Sequence, residues 1–326
     1  MNTPRIAVLL PMTGSSADAG LGMERAINLT RPADEREPGL IVLDTGGTAE
    51  GARVSAARAV SGGAAMLVGP LFAREVQEVL AVAGGVPVLT FSNDGDLVGS
   101  GAFVLGLTAS QGVSAVLGYA RGRGVRRVTA IRELDPWSRQ SIDAARKSAI
   151  SLGMELFEID AAEGMAASDT AAWLMTGSGG ALPDAVLFSQ SRTGTIPLAA
   201  RIAGLGLQIL GPSRWSEESP DVLDTVNGAW IAAPEPAVFG GFAEAFEARH
   251  RTQPGLLAGL AYDGATIARR LLLSGRLSRD GLATPEGFEG VLGAVRFSGN
   301  GRCTRDLAIQ VVNRGSLRVV SHLAGS

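Results

Sequence analysis

The sequence predicts an α/β protein of two doubly wound, parallel-sheet lobes joined by a hinge that the chain crosses several times. Three observations lead there. Strand-like and helix-like segments alternate along the chain, as βαβ units require. The alternation restarts midway in a second run of similar length, and the last third breaks it with two successive helices followed by strands. A length of 326 residues suits two cores, since single cores stop growing at about 250–300 residues.

Each element has a local signal. Ile6–Leu10 is an uninterrupted apolar and β-branched run, as a strand buried on both faces requires. Leu40–Asp44, Ala65–Gly69, Val86–Phe91 and Ala102–Leu107 read as the other strands of the first lobe. Helical spacing puts Val76, Val79, Leu80 and Ala83 on one face of Ala73–Ala83. It does the same for Val113, Val116, Leu117 and Ala120 in Gln111–Arg121. The second run opens with the strand Val125–Ile131. The helix Ser138–Leu152 follows, with Ser138 as its cap and Ile142, Ala145, Ala149 and Leu152 as its stripe. Met154–Ile159, Ala185–Phe188, Gln208–Leu210 and Ala229–Ala233 read as further strands.

Gly240–His250 and Leu256–Leu273 then read as helices with no strand between them. Ala294–Ser298 and Leu307–Val312 are expected to form a terminal β-rich piece joined through the turn dipeptide Asn300-Gly301. Such an ending fits a chain that recrosses between lobes. Crossings are expected near Leu107–Ser110, Ala233–Pro236 and Gly290–Gly293. The first lobe is then 1–107 plus 236–290 and the second 108–235 plus 291–326, with a ligand cleft between them.

Composition excludes several functions. Net charge is −3, and no basic stripe exists to neutralise a run of phosphates, so nucleic acid is not an expected partner. No apolar run is long enough to span a membrane. The chain opens without the charged and apolar regions of an export signal, so a signal or lipid anchor is expected to lie outside this sequence. Cys303 is the single cysteine, which leaves no internal disulfide and no multi-cysteine metal site.

Enzymatic motifs are missing as well. The turn after the first strand, PMTGSSADAGLG, spaces Gly14, Gly20 and Gly22 wrongly for a dinucleotide fingerprint. There is no P-loop around Lys147 and no GxSxG elbow. His250 and His322 have no second ligand or nucleophile at a telling spacing. Neither catalysis nor a cofactor nor a metal is therefore expected.

Five stretches carry a resemblance. IAVLLPMTGSSADAGLGMERAINL looks like the first strand, ligand loop and first helix of type I periplasmic solute-binding proteins, the group of the leucine/isoleucine/valine-binding protein. LIVLDTGGTAEGARVSAARAVSGGAAMLVGPLFAREVQEVL is similar to that family's second βα unit, with Asp44 ending the strand and Val68-Gly69-Pro70 following. VPVLTFSND matches the strand before its cleft loop. GLTASQGVSAVLGYARGRGVRRVTAI and LAGLAYDGATIARRLL resemble the first hinge crossing and a late helix of the first lobe. The nearest look within the superfamily is to penicillin-binding protein activator lipoproteins, through the LLP-TG start, the Asp-Thr after strand two and the VGPL segment.

Ligands of open parallel sheets lie beyond the carboxyl ends of the strands, where helix N-termini offer free N–H groups. The candidates in the first lobe are Thr13, Gly14, Ser15, Phe72, Ser92 and Asn93. In the second they are Asp135, Trp137, Ser189, Gln190, Arg214 and Trp215. Thr13, Ser15, Ser92 and Asn93 have helix capping as an equally open role. Trp137 and Trp215 sit in Pro- and Ser-containing loops off any core stripe, which points them toward the cleft.

Two departures from the family stand out. Phe72-Ala73-Arg74 replaces the usual hydroxyls, and Gly211-Pro212-Ser213-Arg214 lacks the acidic residue that faces a ligand ammonium. The resemblance thus implies a periplasmic component of an ABC transporter that takes a small polar or anionic solute, such as an amino-acid derivative, peptide or organic anion. Its expected partner is a membrane permease. The other reading is an envelope module that regulates a peptidoglycan synthase by contact.

Overall fold

The computed structural model describes residues 5–30, 40–161, 166–189 and 195–325. It separates into two compact units, Met1–Leu107 with Pro234–Asp306 and Gly325–Ser326, and Thr108–Ala233 with Leu307–Ala324. The first unit begins with β1 (Arg5–Leu10), α1 (Ala17–Leu29), β2 (Leu40–Asp44), α2 (Ala49–Ser61), β3 (Ala64–Val68), α3 (Ala73–Val82), β4 (Val88–Thr90) and β5 (Phe103–Val104). The second holds α4 (Ala109–Gly122), β6 (Arg127–Arg132), α5 (Pro136–Leu152), β7 (Glu155–Asp160), α6 (Thr170–Gly177), β8 (Ala185–Phe188), α7 (Thr195–Ala203), β9 (Gln208–Gly211), α8 (Pro220–Asp224) and β10 (Trp230–Ala233). The chain returns to the first unit with α9 (Pro236–His250), α10 (Leu256–Leu273), α11 (Arg279–Leu282), β11 (Val295–Phe297) and β12 (Cys303–Arg305). It ends in the second with β13 (Leu307–Asn313) and β14 (Ser316–Leu323).

The first sheet runs β2-β1-β3-β4-β5, all parallel. Its order reverses at β1, which pairs with β2 on one side and β3 on the other. The alternation of β1 shows why the run is apolar throughout. Ile6, Val8 and Leu10 pack on one face with Met23 and Ile27 of α1 and Leu260 and Ile267 of α10. Ala7 and Leu9 pack on the opposite face with Ala52 and Ala56 of α2 and Val76 and Val79 of α3. Burying such a Leu or Ile contributes about 1.5–3 kcal/mol, so a strand lined on both faces is a large share of this core.

The second sheet runs β14-β13-β10-β9-β8-β6-β7. Strands β6 to β10 are parallel, and β13 and β14 are antiparallel additions at one edge. Its order reverses at β6. One face is covered by α4 and α5 through Val113, Val116, Ile142 and Ala145, and the other by α6 and α7 through Leu174, Leu198 and Ile202.

Several expectations need correction. Asp135, rather than Ser138, caps α5, with its side chain accepting from the Ser138 N–H at 3.0 Å. Pro136 follows at the first helical position, where its missing N–H costs nothing. The Asn300-Gly301 turn joins β11 to β12 and does not lead into β13. The Cys-Thr-Arg run of β12 has no apolar alternation to reveal it, while β13 joins the second sheet and pairs with β14 through Arg314-Gly315. The crossing expected near Gly290–Gly293 therefore follows Asp306, and residues 291–306, assigned above to the second lobe, belong to the first unit.

Candidate ligand-binding site

Two strand-end loops of the first unit, those after β1 and β2, are built around Asp44, the last residue of β2. Its carboxylate accepts from the N–H groups of Met12 (2.8 Å), Thr13 (3.2 Å) and Gly46 (2.7 Å) and from the Thr13 hydroxyl (2.6 Å). Burial works against its ionisation, yet these four donors together hold the carboxyl below its ordinary range. The consequence is chemical. The donors that a free anion would seek at the end of β1 are already committed to an anion of the protein. Thr13 and Ser15 are exposed, and Gly14 turns with φ +83° against the Gly46 carbonyl.

Beyond β3, half-buried Phe72 precedes α3, and the Arg74 guanidinium lies 4.5 Å over its ring while donating to the Gly47 carbonyl at 2.6 Å. Glu75 in the same turn is fully buried. Burial raises its carboxyl pKa, against the pull of the Phe72 N–H, Arg74 and the Thr45 hydroxyl. After β4, Ser92 is buried and accepts from the Asp94 N–H at 3.2 Å, and Asn93 is exposed.

The second unit carries a groove at the carboxyl ends of its central strands. Trp137 and Ser141 come from the start of α5, and Ser189 follows β8. Pro212 and Ser213 follow β9, and Gly112, Val113 and Val116 come from α4. Its cavity volume is about 20 Å³, room for about one ordered water, so a larger solute would lie against its walls. No acidic or basic side chain lines it.

Proton accounting separates its hydroxyls. Ser189 donates to the Ile131 carbonyl at 2.8 Å, so the 2.7 Å contact with Ser138 carries the Ser138 proton to Ser189. Ser138 in turn accepts from the Glu133 N–H at 2.8 Å. Both hydroxyls are spent on pinning the start of α5 to β6 and β8. The Ser213 hydroxyl has no partner among the described residues, and Ser141 makes only a 3.4 Å bond to the Ser189 carbonyl. These two remain able to serve a ligand.

Against the sequence expectations, Trp137 and Ser189 line the groove, with Asp135 at the cap beside it. Arg214 is exposed, and Gln190 lies outside the described residues. Trp215 is the clear correction. It is 1% exposed and stacks with Phe188, ring centroids 5.7 Å apart, in the core under α7 and α8. Gly211 permits this, because a side-chain carbon there would come within 2.3 Å of the indole. Gly112 and Ser141 were not chosen from sequence. Ser141 had a faint signal, three residues after Ser138 on the same helix, but nothing local ties Gly112 to Ser213. Among the described residues no cluster of His, Cys, Asp or Glu could hold a metal ion, and no helix is long and apolar enough to cross a membrane.

Two doubly wound units, with chain crossings after Leu107, Ala233 and Asp306, define the type I binding-protein class. The family model of periplasmic binding proteins matches residues 3–316, and the chain belongs to that family. Its members bind solutes and are not enzymes, and the family is extracytoplasmic.

Among solved structures, the chain is similar to a Rhodospirillum rubrum protein named for branched-chain amino acid ABC transport. Identity is 21% over 98% of this chain and 100% of that one, with a TM-score of 0.83. A Desulfitobacterium hafniense ABC transporter substrate-binding protein in complex with leucine matches at 19% identity, 97% and 99% coverage and a TM-score of 0.70. A solute-binding protein of an ABC transporter from R. palustris in complex with benzoate matches at 16% identity, 99% and 97% coverage and a TM-score of 0.67. At these identities the likeness carries the fold alone. No curated protein matches the chain. The finer resemblance to penicillin-binding protein activators finds no support in these comparisons.

Proposed function

We propose that this chain is the periplasmic solute-binding component of an ABC transporter, taking a small neutral or anionic solute and presenting it to a membrane permease. The observation that carries the reading is the uncharged groove beside Trp137 and Ser213 at the carboxyl ends of β6, β8 and β9. A buried ammonium without a counter-charge costs several kcal/mol, and no carboxylate lines this groove. Free zwitterionic amino acids are therefore disfavoured, even though one structural relative holds leucine. The benzoate complex of another relative is the kind of solute this groove suits better. Ser141 and Ser213 supply hydrogen bonds and Trp137 a flat apolar wall.

The test is a thermal-shift screen over amino acids, short peptides and organic acids. Organic acids or uncharged solutes should raise Tm, by mass action on the folded state. A screen in which no solute raises Tm, or in which only free amino acids do, contradicts the proposal.

A further inference from the structure

Gly112 lies in the first turns of α4 and lines the groove of the second unit. Glycine is costly inside a helix relative to alanine, because it fixes a more flexible backbone and covers less of it. A helical glycine therefore invites a reason. At Gly259 and Gly264 of α10 the reason is packing, since a side-chain carbon would lie 2.9 Å from the Phe239 ring and 2.7 Å from the Phe91 ring. Gly112 has no such neighbour. A carbon added there would sit 3.7 Å from the Ala232 carbonyl oxygen and 3.9 Å from the Ser213 side chain, ordinary contact distances. Its backbone does not adopt the left-handed region either. Neither packing nor conformation asks for glycine at this position, and the space it leaves is groove.

We infer that Gly112 is a specificity-determining residue, whose missing side chain lets the apolar body of a small organic acid enter between α4 and the start of α5. The inference rests on the solute-binding reading of the groove and adds the residue that sets its depth. The chemistry follows from the walls. Val113, Val116 and Trp137 offer apolar contact, and the Ser213 hydroxyl, which has no partner among the described residues, offers one hydrogen bond. A rigid apolar body with one polar end matches the chemistry of these walls, and a long charged chain does not.

Gly118 supplies the control. It lies in the same helix, has nothing within 4 Å of an added carbon, and does not line the groove. The experiment compares wild type, Gly112→Ala, Gly112→Val and Gly118→Ala, with benzoate, phenylacetate and isocaproate as probes, by thermal shift and titration calorimetry. At least one probe should bind wild type and Gly118→Ala alike. Gly112→Ala should bind it tenfold more weakly or worse, and Gly112→Val should not bind it measurably. The unliganded Tm of Gly112→Ala should equal or exceed that of wild type, a result that a packing role for the glycine would not give.

Unchanged binding by Gly112→Ala overturns the inference, as does equal loss in Gly118→Ala or a lowered Tm of unliganded Gly112→Ala. If wild type binds other solutes and none of the three probes, the inference fails while the solute-binding reading stands. If wild type binds nothing in the wider screen, that reading fails first.

Discussion

The Arg305 guanidinium lies 3.7 Å from the Asp263 carboxylate, with both side chains closed off from water. Arg305 also donates to the carbonyls of Leu292 (3.2 Å) and Leu105 (2.7 Å), and Asp263 accepts from the N–H groups of Val291 (2.7 Å) and Leu292 (3.2 Å). One buried pair thus ties α10 to the end of β5 and to the segment before β11. Removing Arg305 leaves a buried carboxylate alone, so Arg305→Met should cost about 3–5 kcal/mol in urea melts at pH 8. The cost should shrink at pH 5, where the unpaired carboxyl takes up a proton.

The same pair gives a pH dependence. Burial pushes the Asp263 carboxyl up to about 6, against the pull of Arg305 and the two backbone donors. A carboxyl raised in the folded state stabilises the fold by binding a proton. Its contribution is full below about pH 4, the unfolded value, and is lost as pH rises through about 6. The stability of wild type relative to Asp263→Asn should therefore fall between pH 4 and pH 6 and level off above. A difference that rises or stays flat across this window would show that ion pairing outweighs burial.

The two tryptophans of the second unit should behave oppositely. Trp215 is 1% exposed against Phe188, and Trp215→Ala should lose about 3–5 kcal/mol of stability, the scale of a large-to-small core change. Trp137 is half-buried on the groove. Trp137→Ala should leave the melt nearly unchanged and cost about 1–3 kcal/mol in solute affinity, the scale of a modest hot spot. Melts and fluorescence titrations of both variants distinguish these outcomes. Strong destabilisation by Trp137→Ala would place that residue in the core instead.

Leucine, isoleucine and valine should not bind at micromolar concentrations in titration calorimetry, because the residues lining the groove offer their ammonium no carboxylate. Tight binding of any of them would contradict this account of the loop after β9.

The strands were legible where one local signal sufficed. Ile6–Leu10 is apolar at every position because both faces of β1 are covered, and Ala185–Phe188 likewise. Legibility ended where a neighbour distant in sequence decides the outcome. Asn300-Gly301 announces a hairpin, yet only tertiary pairing shows that the second strand is Cys303–Arg305. Trp215 sits in a Pro-Ser loop that reads as exposed, and a missing side chain four residues earlier, at Gly211, lets it turn into the core. Ser189 reads as a free hydroxyl until Ile131 and Ser138 are seen to use it. The loops that carry the site were therefore found from sequence more readily than the atoms within them.

The most direct measurement is a crystal structure of this chain with the tightest-binding solute of the screen. The account predicts a neutral or anionic molecule whose apolar body lies against Trp137 and Gly112 and whose polar end reaches the Ser213 hydroxyl. A solute bound away from these residues, or an amino acid whose ammonium meets a carboxylate of the second unit, would contradict it.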